Sequence, residues 1–315
     1  MAADRIPAPP LPGFIARELP FERYRVRVEG LLVHVVETGA HPPTGSGRAD
    51  PLPLAVVLLP GNPTWSFLWR KVARALEGEG MRLVMPDLVG LGLSDKPRDP
   101  RWHSLSNHAQ VVASLLDALA LERVVLVVHD WGGAIGLLAC ADRLERIAGL
   151  VVTNTVLAPP RPGFRPSAFH RFARMPVISD LAFRWLGFPQ NVLHRTQGDR
   201  ASIRGDVAAA YRWPLRARAD RVAPLAMARM APLTPGHPSL PPLARAEAIA
   251  TGFRGPAAIV WGDHDPILGR AFSRVANLLP HASVTHTPGG HYLQEEHPQA
   301  IAAAIRAVVA QVGSA

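Results

Sequence analysis

The sequence predicts an α/β protein with a mostly parallel, eight-stranded sheet and an inserted helical lid. Short runs of aliphatic residues alternate with segments of helical period along most of the chain, which is typical of a parallel sheet with both faces covered. After the sixth predicted strand the strand signal stops, and short helical segments interrupted by proline follow. The composition, 48% hydrophobic and 19% charged, favours a globular enzyme over a disordered chain.

The strands are predicted from continuous aliphatic or β-branched runs, and the helices from apolar residues at helical spacing. The predicted strands are 24–29, 31–37, 54–59, 81–85, 124–128, 147–153, 257–261 and 283–286. The predicted helices are 66–79, 105–119, 270–278 and 298–312. The chain before residue 21 is predicted as an irregular arm because it is rich in proline, and 41–53 is predicted as a loop.

The helical segments lie between the sixth and seventh predicted strands, so they interrupt the sheet domain. Residues 1–156 and 233–315 are expected to form the α/β core in two parts, and residues 157–232 are expected to form a helical cap over the sheet. The aromatic side chains of this insertion are expected to be mostly cap core, with one or two lining a pocket. They are Phe169, Phe172, Phe183, Trp185, Phe188 and Trp213.

The charge and the single cysteine limit the kind of protein. The net charge of +9 comes mostly from arginines that are spread along the chain, so nucleic-acid binding is not predicted. Cys140 is the only cysteine, which excludes an intrachain disulfide. The N-terminus lacks the apolar core of a signal peptide, and no stretch approaches the roughly 20 apolar residues of a membrane span. We therefore expect a cytoplasmic protein without a membrane span, and the sequence leaves its oligomeric state open.

The most informative stretch joins the predicted strand 124–128 to an apolar helix through His129, Asp130, Trp131 and two glycines. A strand, a sharp turn bounded by glycine and a helix form a nucleophile elbow. The residue at the turn is Asp130, where such elbows usually carry serine. A carboxylate at this position attacks an electrophilic carbon and becomes an ester of the substrate's alkyl group. The sequence therefore predicts displacement at carbon rather than acyl transfer.

A second carboxylate and a histidine follow Asp130 along the chain. Asp265 and His291 each come just after a predicted strand, at the end where an open α/β sheet forms its crevice. The order of nucleophile, acid and histidine is that of the α/β-hydrolases. Asp263 lies two residues from Asp265 and is a rival for the acid, although Asp265 is preferred.

At these residues the sequence resembles the haloalkane dehalogenases of the α/β-hydrolase superfamily. The resemblance covers about 24–312 and is weakest in the helical insertion. The segments that carry it are Gly61-Asn62-Pro63-Thr64, His129-Asp130-Trp131-Gly132-Gly133 and Gly290-His291-Tyr292-Leu293-Gln294-Glu295. One departure is Pro60, because the family usually has histidine before this turn.

The resemblance implies that Asn62 and Trp131 hold the departing halide. An amide and an indole N–H in an apolar pocket are suitable donors for the charge that develops on this leaving group. The backbone N–H groups of the same two residues would form the oxyanion hole. The resemblance also implies that His291 is the base and Asp265 the acid, as in the third dehalogenase subgroup. Another subgroup keeps a glutamate after the sixth strand, where this chain has Asn154.

The predicted reaction is hydrolytic dehalogenation of a small apolar substrate, without a cofactor or metal. Asp130 displaces halide to form an alkyl ester, and a water activated by His291 hydrolyses it. The leading alternative is decarboxylation of a β-lactone to an olefin, because enzymes with that activity resemble the same subgroup. Epoxide hydrolysis is less favoured, since resembling enzymes need lid tyrosines and the predicted cap contains only Tyr211. The intact triad argues against a non-catalytic binding scaffold.

Overall fold

A computed structural model describes residues 4–39, 53–161, 163 and 166–314. The strands within these ranges are β1 (Arg5–Pro7), β2 (Glu22–Val28), β3 (Leu31–Thr38), β4 (Leu54–Leu59), β5 (Arg82–Pro86), β6 (Arg123–Asp130), β7 (Ile147–Thr155), β8 (Ala257–Gly262) and β9 (Ser283–Thr287). They form one sheet in the order β1-β2-β3-β5-β4-β6-β7-β8-β9. In this spatial order the first three pairs, up to β3 with β5, are antiparallel, and the other five pairs, from β5 with β4 onward, are parallel. The predicted α/β class and mostly parallel sheet are confirmed, but the predicted number of eight strands is wrong.

The ninth strand lies in the N-terminal segment, which was expected to be irregular. There β1 pairs antiparallel with β2, and helix α1 (Gly13–Glu18) follows it. The Arg5 guanidinium reaches Glu22 at 2.9 Å and Glu37 at 3.0 Å, which fixes the strand at the sheet edge. These partners are distant in sequence, so the local pattern of a three-residue, proline-ended strand does not reveal them. The predicted loop 41–53 lies, except for its last residue, outside the described ranges.

The remaining helices include one in each of the four predicted segments, although most of their bounds differ from the predicted ones. They are α2 (Arg70–Ala75), α3 (Leu105–Ala118), α4 (Trp131–Ala139), α5 (Ala168–Ala173), α6 (Ile178–Arg184), α7 (Gly205–Arg212), α8 (Ala223–Arg229), α9 (Leu240–Gly252), α10 (Phe272–Leu278), α11 (Leu293–Glu296) and α12 (Pro298–Gly313). The predicted helices 66–79 and 270–278 each begin as a short 3-10 turn. Helix α9 was not predicted, because its two prolines suggest a break although they lie in the first turn, where proline is tolerated. Within the described ranges, no helix has the length and apolarity needed to cross a bilayer.

Strand β6 lies at the centre of the sheet and carries the elbow. Its neighbours β4 and β7 pair with it on either side, and every side chain from Val124 to Val128 is fully buried. Helices α3 and α4 contribute to the apolar layer on one face of the sheet, and α2 and α12 contribute to the layer on the other. Burial on both faces explains why this strand is a continuous aliphatic run.

Between β7 and β8 the described part of the chain contains helices and no strand. A small apolar cluster holds α5, α6 and α8 together, with Phe183 and Ala173 fully enclosed in it. Phe188 packs edge-to-face on Phe183 with ring centroids 4.9 Å apart. Part of this segment therefore has an apolar core of its own, while other residues of it, such as Met227 and Tyr211, belong to the two layers of the sheet.

A buried ion pair in the sheet domain accepts a hydrogen bond from the helical segment. Arg70 of α2 donates to the two carboxylate oxygens of Glu295 in α11 at 2.5 and 3.0 Å, and the Tyr211 hydroxyl of α7 donates to the same carboxylate at 2.6 Å. Arg70 and Glu295 have fully buried side chains. Burial raises the pKa of Glu295, but Arg70 and the other donors lower it by more, so Glu295 is held ionised.

Replacing Glu295 by glutamine is expected to lower the free energy of unfolding by about 3–5 kcal/mol, because the Arg70 charge stays buried without its counter-charge. Urea denaturation at neutral pH measures this loss. The matched control is Glu79→Gln, which breaks a pair with Arg306 at the surface and should leave the unfolding midpoint nearly unchanged. Equal midpoints for the two variants would contradict the prediction.

Candidate active site

The turn at Asp130 is tight and strained, as a nucleophile elbow requires. Asp130 lies between β6 and α4 with φ of 49° and ψ of −129°, a conformation that side-chain-bearing residues rarely adopt. Two glycines make room for it. A Cβ on Gly61 would lie 2.3 Å from Asp130 Oδ1, and a Cβ on Gly132 would lie 2.5 Å from the Leu59 carbonyl oxygen. The turn presents the Asp130 carboxylate at the carboxyl end of the sheet.

Backbone groups hold one oxygen of this carboxylate. The Asn62 backbone N–H donates to Asp130 Oδ1 at 2.7 Å, and the backbone N–H of Trp131 helps to lower the pKa of the carboxyl. These are the two N–H groups expected to form the oxyanion hole. Burial raises the pKa of Asp130, against the opposing effects of His291 and the two N–H groups. The other oxygen, Oδ2, faces His291.

His291 lies between the two carboxylates. Its Nδ1 is 2.8 Å from Asp265 Oδ2, and its Nε2 is 3.8 Å from Asp130 Oδ2. The loop before it is closely packed, since a Cβ on Gly290 would lie 2.2 Å from the Thr196 carbonyl oxygen. Burial lowers the pKa of His291, but the two carboxylates raise it by more, so it lies above the ordinary value. The imidazole is therefore oriented by Asp265 and directed at Asp130.

Asp265, rather than Asp263, contacts the imidazole. Its Oδ1 accepts the backbone N–H groups of Ile267 and Leu268 at 2.7 and 3.0 Å. Burial raises the pKa of Asp265, but His291 and these donors lower it to below its usual range, so the carboxyl stays ionised. Asp263 instead pairs with His286 at 2.7 Å, and both side chains are about half exposed, at 50% and 46%.

Asn154 connects the acid to the loop that carries the histidine. Its Nδ2 donates to Asp265 Oδ2 at 2.9 Å and to the Gly290 carbonyl at 3.2 Å. Its Oδ1 accepts the backbone N–H of Gly262 at 2.8 Å. The side chain is fully buried at the end of β7, with the backbone at φ of 30°. Asn154 therefore fixes the position of Asp265 from the neighbouring strand.

Asn62 and Trp131 both line a cavity beside Asp130. Asn62 Nδ2 donates to the Pro224 carbonyl of α8 at 3.0 Å, which leaves its second N–H for another acceptor. The Trp131 indole N–H makes no hydrogen bond to any residue that the structure describes. The structure thus places two N–H donors and a carboxylate around the same space.

This first cavity has a volume of about 470 Å³ and is mostly apolar. It lies between the elbow and helices α5 and α8, so side chains of the helical segment line the same space as Asp130 and His291. Phe169, Phe172 and Phe188 line the cavity, which is one aromatic residue more than the one or two expected. Phe183 is core and Trp185 is exposed, whereas Trp213 is partly buried and does not line this cavity. Tyr211 does not line it and is bound to Glu295.

A second cavity of about 390 Å³ also reaches Asp130 and Trp131. His170 of α5 lines both cavities, and its Nδ1 lies 2.8 Å from the Ser167 hydroxyl. Nothing in the sequence singles out His170. A histidine in a short helix carries no motif, and only the packing of α5 places it beside the same cavity as Asp130 and His291.

Known proteins match the chain over most of its length. A family model described as alpha/beta hydrolase fold matches residues 55–298. Haloalkane dehalogenase 1 of Mycobacterium tuberculosis is 34% identical over 248 residues, which cover 76% of this chain and 79% of the relative. The cis-3-alkyl-4-alkyloxetan-2-one decarboxylase of Shewanella oneidensis is 30% identical over 284 residues, 88% of this chain and 85% of the relative. The crystal structure of haloalkane dehalogenase DbeA from Bradyrhizobium elkani superposes with a TM-score of 0.78 at 26% identity, covering 93% of this chain and 99% of that one.

The sheet, the strained turn at Asp130 and the family model define an α/β-hydrolase. Within this class, the two relatives and the superposed structure are haloalkane dehalogenases and an oxetan-2-one decarboxylase. The chain belongs to the haloalkane dehalogenase family of α/β-hydrolases and is a haloalkane dehalogenase-like hydrolytic enzyme. The predicted fold, family and enzyme class are confirmed.

Proposed function

We propose that Asp130 displaces halide from a saturated carbon of a haloalkane. Its carboxylate oxygen forms a bond to the carbon, the carbon–halogen bond breaks with its electron pair on the halide, and an alkyl ester of Asp130 results. Asn62 Nδ2 and Trp131 Nε1 donate hydrogen bonds to the departing halide. The observation that carries this proposal is the indole N–H of Trp131, which has no partner among the described residues and lines an apolar cavity beside the carboxylate.

Hydrolysis of the ester is the second step. His291 Nε2 takes a proton from a water that attacks the ester carbonyl carbon of Asp130, and Asp265 stabilises the imidazolium that forms. The backbone N–H groups of Asn62 and Trp131 stabilise the oxyanion. Collapse of this intermediate releases the alcohol and restores the carboxylate, so haloalkane and water yield alcohol, halide and a proton.

We assign residues 157–232 as the cap of this enzyme and residues 1–156 and 233–315 as its core. The assignment is supported by the separate apolar cluster around Phe183 and by the cap side chains that line the first cavity. A cap in this place excludes water from the displacement step, which would strengthen the hydrogen bonds to the leaving group.

Removing either halide donor tests the proposal. Trp131→Phe and Asn62→Ala are each expected to raise the activation free energy of ester formation by roughly 3 kcal/mol, because one preorganised donor to the developing charge is lost. Single-turnover halide release from a bromoalkane measures this step, and quenching of tryptophan fluorescence by bromide should weaken in the same variants. Trp261→Phe is the matched control, since that indole is buried in β8 and lines neither cavity. Unchanged bromoalkane turnover in both donor variants would contradict the halide role.

Decarboxylation of a β-lactone is the second candidate, because the oxetan-2-one decarboxylase matches 88% of this chain. Asp130 would attack the alkyl carbon of the ring, the ring carbon–oxygen bond would break, and a carboxylate would form. Loss of carbon dioxide would then supply the electron pair of the double bond and expel Asp130. Epoxide opening has less support, because Tyr211 is bound to Glu295 and lines neither cavity. A panel of a bromoalkane, an epoxide and a β-lactone, assayed for halide, diol and olefin, separates the three reactions.

A further inference from the structure

His170 lies where the two cavities meet above Asp130. Both cavities are lined by Asp130, Trp131 and His170. The described lining of the first cavity is largely aromatic and aliphatic, whereas that of the second combines aliphatic and proline side chains with three arginines and has no acidic side chain besides Asp130. A substrate that reacts at Asp130 therefore has an apolar compartment on one side and one that carries arginines on the other, with an imidazole lining both.

The hydrogen bonds of His170 leave its Nε2 as a free donor. The Ser167 hydroxyl accepts the backbone N–H of His170 at 3.4 Å as the N-cap of α5. The same oxygen lies 2.8 Å from His170 Nδ1, and donating its one hydrogen there leaves the imidazole proton on Nε2. Burial, His291 and Arg174 lower the pKa of His170 to about 4, so the ring is neutral near pH 7. Its Nε2 has no hydrogen-bond partner among the described residues and belongs to a side chain that lines both cavities.

A neutral N–H donor suits some leaving groups better than others. An alkoxide, as formed from an epoxide, has a conjugate acid with a pKa of about 16, like that of water, and needs a proton as it leaves. A carboxylate has a conjugate acid with a pKa of roughly 4 and needs only hydrogen bonds. It is also larger than a halide ion, and its two oxygens can accept hydrogen bonds from more than one direction.

The second cavity has the charge to receive such a group. Arg161 and Arg270 are exposed at its wall and form no ion pair with any described residue. Arg274 lines the same wall and pairs with Glu247 at 2.9 Å. Cationic side chains that line a cleft raise the local concentration of anionic groups in it. Among the described residues that line the first cavity, Arg195 is the only arginine or lysine.

We propose that His170 is a third leaving-group contact, which favours a carboxylate leaving group over a halide. The proposal rests on displacement by Asp130 and concerns the second candidate reaction, the opening of a β-lactone. Asp130 forms a bond to the alkyl carbon of the ring, the ring carbon–oxygen bond breaks, and its electron pair stays on the oxygen that becomes part of the carboxylate. No proton is transferred. The alkyl chains lie in the first cavity, and the carboxylate accepts the His170 N–H and faces the arginines of the second.

The test compares two substrates in the same purified enzyme, a cis-dialkyl β-lactone and bromohexane. In His170→Phe the ratio of kcat/KM for lactone over bromohexane is expected to fall about tenfold or more, since a hydrogen bond to a charged group is lost. His170→Gln keeps an N–H near the position of Nε2 and should restore most of the ratio. His194→Gln is the control, because His194 is a cap histidine that lines neither cavity.

A second measurement uses decanoate, which combines an alkyl chain with a carboxylate. It should inhibit bromohexane turnover competitively, and His170→Phe should weaken this inhibition about tenfold while His194→Gln leaves it unchanged. A wild-type enzyme that releases bromide but neither opens the lactone nor binds decanoate overturns the proposal and leaves displacement by Asp130 intact. An unchanged ratio in His170→Phe, or equal losses for both substrates, also overturns it. Failure of displacement itself would be seen separately, as the absence of any adduct on Asp130.

Discussion

Replacing Asp130 by alanine is expected to abolish turnover, and replacing His291 by phenylalanine is expected to stop the reaction at a covalent ester. In the proposed mechanism Asp130 supplies the attacking oxygen, so its loss should lower kcat by about four orders of magnitude or more. In the same mechanism His291 acts only on the second step, where its Nε2 takes the proton of the hydrolytic water. The 3.8 Å between Nε2 and Asp130 Oδ2 places the imidazole beside the ester it would help to hydrolyse.

Intact-protein mass spectrometry of His291→Phe after incubation with a bromoalkane should show a mass gain equal to the alkyl group. Peptide mapping should place this group on Asp130. The double variant Asp130→Ala/His291→Phe is the control and should gain no mass. The nucleophile assignment would be abandoned if His291→Phe formed no adduct with any alkylating substrate while wild-type enzyme turned that substrate over.

Asp265→Asn is expected to lower turnover by about four orders of magnitude, because an amide can hold the imidazole in the wrong tautomer and cannot stabilise its cationic form. Asp263→Asn should have little effect on turnover. Its carboxylate is half exposed and bound to His286, away from the catalytic imidazole. The two changes remove the same charge within one loop, so they form a matched pair.

Rapid-quench kinetics would show where the Asp265 variant fails. Ester formation should remain close to the wild-type rate, and its hydrolysis should become rate-limiting, since Asp265 acts through His291. Circular dichroism would establish that both variants are folded. Equal losses of turnover in the two variants, or a greater loss in Asp263→Asn, would transfer the role of the acid to Asp263.

The sheet and the family are predictable because their signals are local. The run from Val124 to Val128 is fully buried between β4 and β7, and burial on both faces requires an unbroken aliphatic strand. The glycines beside Asp130 likewise reflect a turn with no room for side chains. A single sequence therefore predicts the position of the elbow and its carboxylate.

Features that depend on contacts between distant segments were not predictable. The edge strand β1 exists because Arg5 meets Glu22 and Glu37, and its own three residues do not require a strand. Helix α9 begins with two prolines, which are compatible with a first turn but also with a break. His170 lines the cavities beside Asp130 only through the packing of α5, and no sequence pattern indicates this packing.

The contact between Asn154 and Asp265 shows that two strand ends meet at the position of the acid. The two side chains come from adjacent strands and lie 2.9 Å apart, so a carboxylate on either strand end lies close to the same imidazole nitrogen. The resemblance described above implies that another subgroup has a glutamate at the position of Asn154. Exchanging these two side chains would therefore move the acid without a new backbone. The amide and the carboxylate at these two positions are neighbours, so either position can carry the negative charge while the histidine stays in place.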